Sequence, residues 1–262
     1  MLKNLENLLN LLSNKNLSYY EFILKANQIA ELRDFFDIKD IDNWRILGLD
    51  IVKNIDKIEL KTRTRQIDQQ EFCIVDIETS GGINSGQIIE IGAIKVKNDT
   101  IISKFESFAY ADFVPESITE LTGISTADLK NAPPLNHVLE QFKQFLGVSV
   151  FVAHNVNFDY NFISTSLSRA GFGLLLNRKI CTIELARRTI VSPKYGLGSL
   201  KELLGIKSTH HRALSDALAA FEIFKISLDN LPPSLNHVEE LIKFSKTANR
   251  LYQNIKQQSA LL

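Results

Sequence analysis

Apolar positions change their rhythm along the chain. Near the start, Leu2, Leu5, Leu8, Leu9 and Leu12 recur at three- and four-residue spacing between Lys3, Glu6 and several asparagines. That is the stripe of an amphipathic helix over 2–13, and similar spacing predicts a second helix over 18–36. Residues 58–66, IELKTRTRQ, alternate instead, with Ile58 and Leu60 set against Lys61, Arg63 and Arg65. This predicts a strand or ribbon with one basic edge. From residue 71 the texture becomes that of a covered sheet. FCIVDIE (72–78) is a short apolar run, as a strand buried on both faces shows. QIIEIGAIKVK (87–97) and residues 100–109 read as strands joined by the turn Lys97-Asn98-Asp99, and VSVFVAH (148–154) as another. Helical patterns mark 115–122, 134–146, 156–170, 200–204 and 213–228, and Pro232-Pro233 stops the last of these. Leu235, Val238, Leu241, Ile242, Ser245 and Ala248 form one more stripe, predicting a helix within 235–256.

Three strands followed by alternating helix and strand indicate an α/β domain with a mixed sheet over residues 71–229. A small, mainly helical N-terminal domain precedes it at 1–68, and a C-terminal helix and tail follow at 234–262. The N-terminal helices and ribbon would suit a winged-helix-like module. A helical appendage with one solvated, charged strand is the plainer alternative.

Composition narrows the classes. Hydrophobic residues make up 45% and charged residues 23% of the 262, which excludes wholesale disorder and a coiled-coil rod. No apolar run approaches the ~18–20 residues that span a bilayer, and Lys3 and Glu6 interrupt the leucines too early for a signal peptide. Cys73 and Cys181 lie far apart in apolar settings, so buried free thiols and a cytoplasmic location are expected. Lys plus Arg and Asp plus Glu are 30 each. This argues against a freestanding protein that coats nucleic acid through charge alone. It does not argue against one that imports positive charge as bound metal ions.

The candidate chemistry lies in three short segments. Asp76 and Glu78, in VDIET (75–79), end the first strand of the α/β domain. A spacing of two puts both side chains on one face of a strand. Two carboxylates so close repel unless a cation lies between them; they could equally be polar residues where a strand leaves the core. Asp159, in HNVNFD (154–159), falls in the first turn of a helix, where an acid can serve simply by complementing the helix dipole. His211 and Asp216, in HRALSD (211–216), are five residues apart. On an unbroken helix that is about 500° of rotation, so they would not share a face. His211 is therefore expected on the loop before the helix and Asp216 on its second turn. His210 has no assigned role.

Taken together, these segments resemble the DEDDh 3′→5′ exonucleases, a proofreading family with a ribonuclease-H-like fold. LTGIS (121–125), CTIELAR (181–187) and SLKELLGI (199–206) add lesser similarities, and the bacterial DNA polymerase III epsilon exonuclease domain looks nearest. The histidine in the third segment places the chain on the histidine branch. The resemblance covers residues 71–228. It implies a mixed five-stranded sheet flanked by helices, and two Mg²⁺ (or Mn²⁺) ions held by Asp76, Glu78, Asp159 and Asp216. Asp76 would bridge both ions, and His211 would take the proton from the attacking water. Thr79, Leu121, Thr122, His154, Asn155 and Phe158 would line the groove for the terminal nucleotide; Phe158 could also be core.

The implied partner is a DNA 3′ end, single-stranded or frayed, with no membrane. An RNA-trimming or stand-alone repair enzyme of the same fold is the alternative, and a non-catalytic adaptor a second. The 70 residues ahead of the domain depart from the usual epsilon arrangement. The C-terminal Gln258, Leu261 and Leu262 loosely resemble peptides that bind the sliding clamp, so clamp and replicative polymerase are candidate partners.

Overall fold

The computed structural model describes residues 3–207 and 212–251. The N-terminal elements are α1 (Lys3–Asn14), β1 (Leu17–Ser18), α2 (Tyr19–Ala26), α3 (Ala30–Arg33), α4 (Ile41–Ile46), β2 (Ile51–Asn54) and β3 (Lys57–Leu60). The strands form an antiparallel sheet in the order β1-β3-β2, so this part holds a three-stranded sheet and not one solvated strand. Leu5, Leu8 and Leu12 of α1 are buried. Ser18 caps α2 by accepting the Glu21 N–H. The single helix expected over 18–36 is two. The chain turns at Asn27, and Ile29, in a non-helical conformation, begins α3. This break lets Ala26, Ile29 and Leu32 all reach the core around Trp44. The Trp44 ring packs edge-on against Phe22 and Phe36, and its N–H donates to the Ile38 carbonyl.

Of the strand or basic ribbon expected over 58–66, only the first part forms, within β3. β3 ends at Leu60, and Lys61–Arg63 coil into a 3-10 turn. Their charges are absorbed locally: Lys61 pairs with Glu59, Arg63 donates to Asn16, and Arg65 joins Arg45 on the carboxylate of Asp50. Asp50 is buried, and a buried carboxylate must be paired; two arginines meet that demand.

The larger sheet has the order β6-β5-β4-β7-β8. Its strands are β4 (Phe72–Thr79), β5 (Ile88–Lys97), β6 (Thr100–Phe108), β7 (Val150–Ala153) and β8 (Lys179–Cys181). β5 lies antiparallel to β4 and β6, whereas β7 runs parallel to β4 and β8. The remaining helices are α5 (Glu116–Thr122), α6 (Thr126–Leu129), α7 (Leu135–Leu146), α8 (Val156–Arg169), α9 (Thr182–Thr189), α10 (Leu197–Leu204), α11 (Ala213–Asp229) and α12 (Val238–Thr247). Alternation along β4 divides the core. Cys73, Val75 and Ile77 meet α7 and α8, while Phe72 and Ile74 meet α11 and α12. Each fully buried apolar side chain of this kind contributes about 1.5–3 kcal/mol.

The two sheets are joined through shared packing. Leu174 and Leu176 complete the core around Trp44, and the Leu176 N–H donates to the Leu47 carbonyl. Glu239 of α12 accepts from Thr62 on one side and from Arg178 on the other. Within the expected range 235–256, α12 ends at Thr247, where Arg188 takes the Lys246 and Ala248 carbonyls that would otherwise lack donors; residues 252–256 lie outside the described residues. Both cysteines are free.

Candidate active site

The even-numbered residues of β4 face α11, so Asp76 and Glu78 do too. Asp76 pairs with Gly92 of β5, and Glu78 with Glu90. Gly92 is needed there. A Cβ at this position would lie 2.0 Å from the Leu214 nitrogen, so only glycine lets the first turn of α11 settle on the sheet. That approach brings Asp216 in from the helix. Ligand oxygens of Asp76, Glu78 and Asp216 all lie within 4.8 Å of one another. Asp159 arrives from the other side. β7 runs parallel to β4, so α8 starts at the sheet edge where β4 ends, and Asp159 is buried in its first turn.

The electrostatics show the strain of this convergence. Burial, then repulsion from Asp159, Glu78, Asp216 and Glu90, raises the Asp76 carboxyl well above the ordinary range. Burial and the charges of Glu90 and Asp216 push Glu78 up to about 7, with Arg212 opposing. Burial pushes Asp159 up to about 8, although backbone groups of Asp159 and Ile77 pull it down. Acids that resist ionising together, with hard oxygen donors facing one space, fit a divalent cation of the magnesium class.

The other sequence candidates fall in three groups. His211 lies outside the described residues, as do Gln258, Leu261 and Leu262. The Thr122 hydroxyl and His154 Nδ1 are engaged within the fold. The Thr122 hydroxyl donates to the Ile118 carbonyl and accepts the Ile124 N–H, tightening the turn at Gly123. His154 Nδ1 lies 2.8 Å from Thr182 Oγ1, and burial lowers its pKa to about 4, with the Tyr195 backbone opposing. Leu121 and Phe158 are exposed, and Phe158 also touches the Phe162 ring. Asn155 holds a left-handed backbone, φ 73°, at the start of α8. Thr79 sits where the β4–β5 register shifts.

Two residues next to the cluster escaped the sequence reading. Glu90 is fully buried and bound to Arg212, and Lys201 is buried with its Nζ 3.6 Å from Asp216 Oδ1. Glu90 had a signal, since it is the one acid inside the apolar run 88–94. Lys201 had none, because a lysine in an amphipathic helix ordinarily points to water.

Fold and site together define an α/β protein of ribonuclease-H-like type with an acidic, cation-fitting cluster at its sheet edge. The chain belongs to the RNase_T family, described as Exonuclease, whose model matches residues 73–224. It is similar to DNA polymerase III PolC-type of Staphylococcus haemolyticus (strain JCSC1435), 41% identical over 172 residues, which are 64% of this chain and 12% of that protein. The PolC-type protein of Caldanaerobacter subterraneus subsp. tengcongensis is 41% identical over 165 residues, 62% of this chain and 12% of that one. The match thus spans about 12% of the length of these relatives. Among solved structures, exonuclease X in complex with 5′ overhanging duplex DNA shares the fold. Its TM-score is 0.50 at 24% identity, covering 66% of this chain and 99% of that one. E. coli exonuclease I in a single-stranded DNA complex also shares it, with TM-score 0.57 at 17% identity, covering 63% and 42%.

Proposed function

We propose that the chain is a divalent-metal-dependent 3′→5′ exonuclease of the DEDDh type. It removes nucleoside monophosphates from single-stranded or frayed DNA, as an epsilon-type proofreading subunit does. The observation that carries this reading is the convergence of Asp76, Glu78 and Asp216 on one space, with Asp159 beside them. In this reading residues 71–229 are the catalytic domain, and 1–68 and 234–262 are appendages. The PolC-type relatives are DNA polymerases by name, which favours DNA over RNA and a replicative partner; a cytoplasmic location goes with that reading. Among the described residues no helix is long and apolar enough to cross a membrane.

Asp76, Glu78, Asp216 and Asp159 would hold two Mg²⁺ or Mn²⁺ ions, Asp76 serving both, Glu78 and Asp216 the one beside the attacking water, and Asp159 the second. Bound there, such ions neutralise phosphate charge and make water acidic. His211 accepts the proton of that water; an imidazole with a pKa near ~6.5 is suited to this at neutral pH. The water oxygen bonds to phosphorus, and the bond to the preceding 3′ oxygen breaks. That oxygen takes a proton from solvent, so the shortened strand ends in a 3′ hydroxyl and a nucleoside 5′-monophosphate is released. Leu121 and Phe158, apolar and open to solvent, offer the terminal base a surface. The clamp contact through Gln258, Leu261 and Leu262 rests on sequence alone.

The test compares 5′-labelled single-stranded DNA and RNA of equal sequence, with magnesium or with chelator. A ladder shortening from the 3′ end of DNA, abolished by chelator and by Asp76→Ala, is expected. Faster RNA cleavage would shift the reading to RNA trimming. Cleavage by purified Asp76→Ala would refute it, and absence of divalent binding would point to the adaptor.

A further inference from the structure

We propose that Glu90 is a positioning residue of the acid cluster: its grip on Arg212 and on the first amide of α11 holds the helix that delivers Asp216 to Asp76 and Glu78. The inference rests on the exonuclease reading for its functional consequence and on the geometry alone for the clamp itself.

Glu90 has 0% exposure. A carboxylate so placed is destabilising unless its charge and lone pairs are met. They are met from a segment over 120 residues away in sequence. Arg212 donates to Oε1 through Nε and Nη2, at 3.1 and 2.9 Å, and the Ala213 N–H donates to Oε2 at 3.0 Å. The Ala213 amide is one of the first-turn donors that a helix leaves without an internal partner. The N-cap residue, Arg212, gives no side-chain cap. Glu90 therefore acts as the cap of α11 from a neighbouring strand, and its charge also suits the positive end of the helix.

The register makes this clamp bear on the site. Glu90 faces Glu78 across β4–β5, and Gly92, two residues on, faces Asp76. Gly92 admits the backbone of Ala213 and Leu214 against the sheet. Asp216 is one turn along, its N–H donating to the Arg212 carbonyl at 3.0 Å. A displacement of Arg212 is thus passed to Asp216 through a rigid helical turn. Arg212 is itself braced by the Phe108 ring and by Glu106. With both oxygens engaged, Glu90 supports the ligands and does not join them.

The test uses the full chain with Glu90→Gln, which keeps the shape but turns an amide NH₂ toward one of the donors. Three quantities are read: kcat and KM on a 5′-labelled single-stranded DNA, Mn²⁺ affinity by titration calorimetry, and amide exchange of residues 213–217. A ligand moved by about 1 Å can cost ~10²-fold in rate, and loss of a partner to a metal ligand costs about 10–100-fold in metal affinity. The expected result is kcat lower by about that rate factor with KM unchanged, Mn²⁺ binding weaker by about 10-fold or more, and faster exchange confined to the start of α11. Arg212→Gln, at a half-exposed position, tests the same clamp should Glu90→Gln fail to fold, with losses in the same direction. The double variant should lose no more than the worse single, as for residues acting as a unit. Unchanged kcat and Mn²⁺ affinity would overturn the proposal. So would a raised KM with kcat retained, or exchange loosened evenly throughout the chain. A wild-type chain that cleaves nothing sinks the exonuclease reading instead, while the Mn²⁺ and exchange measurements still decide the clamp.

Discussion

Replacing Asp76 with asparagine should make the protein more stable without metal and less stable with it. Asp76 is the centre of the repulsion, with the charges of Asp159, Glu78, Asp216 and Glu90 all acting on it. Two unit charges 4.8 Å apart, the span of the ligand oxygens, repel by about 3.5 kcal/mol at an effective dielectric constant near 20. Partial protonation already relieves much of this, because Asp76 itself is raised well above the ordinary range and Glu78 and Asp159 are pushed up to about 7 and 8. Roughly 2 kcal/mol is left for Asp76→Asn to release at mildly alkaline pH. The asparagine NH₂ can also donate to the remaining carboxylates, so no buried group loses a partner. At about 2–4 °C per kcal/mol for a chain of this size, the melting temperature in chelator should rise by roughly 4–8 °C. With magnesium the order inverts. Wild type gains about 2.7 kcal/mol at a hundred-fold excess over its dissociation constant, while the variant lacks a ligand and gains little. Thermal melting of both proteins, in chelator and in magnesium, reads all four values. If Asp76→Asn melts below wild type in chelator, or gains as much from magnesium, the acids neither repel nor share a cation, and the site as described is wrong.

Other outcomes follow from the same geometry. Glu78, at about 7, and Asp159, at about 8, bind more protons folded than unfolded between the ordinary carboxylate range near ~4 and those values. Stability of the metal-free protein should therefore fall as pH rises through that window, and magnesium should flatten the fall; a metal-free melting temperature that rises over the window would contradict the raised values. His211→Ala should lower turnover by about 10²–10⁴, and an unchanged rate across neutral and mildly alkaline pH would remove it as the base. Gly48→Ala should cost at least ~2 kcal/mol in a denaturant titration. At φ +97° its Cβ would meet Asn177 Oδ1 at 1.9 Å, and Asn177 is tied to the Gly147 and Ser149 carbonyls. Gly198→Ala meets nothing within 4 Å and should instead stabilise α10 by about 0.5–1 kcal/mol.

The fold was legible where one physical rule dominates. The strands 72–79 and 88–97 announce themselves because a sheet covered on both faces demands continuous apolar runs, the exposed edge strand 100–108 because it follows the turn at Lys97-Asn98-Asp99, and α7 and α8 because their stripes face a core. The sequence reading failed where tertiary demand overrides local pattern. Lys61, Arg63 and Arg65 alternate like a strand, yet the buried carboxylate of Asp50 draws Arg65 away from any ribbon. The resemblance implied a fifth strand, but the pattern did not place β8, three residues long, or α9 behind it, since a run so short carries no period. Within the site, Asp76 and Glu78 could be placed on one face from spacing alone. That Asp216 joins them depends on Gly92, whose role in QIIEIGAIKVK is invisible without the helix it admits.

The same contrast explains why Glu90 sits beside an already repulsive cluster of four acids. A cluster whose members repel one another pushes apart the elements that bear them, so the fold must hold β4 and α11 together against that force. Apolar packing of Phe72 and Ile74 against Phe221 and Phe224 does so along most of the interface, but that contact is non-directional and tolerates sliding. The charged bonds of Glu90 to Arg212 and Ala213 are directional and lie at the end nearest the ligands. A fifth carboxylate, which adds to the repulsion on Asp76, is thus tolerated because its bonds fix the position from which Asp216 must act. On this argument any change that weakens the clamp should relax the metal-free site and loosen metal binding together, and the two effects should scale with each other across Glu90 and Arg212 variants.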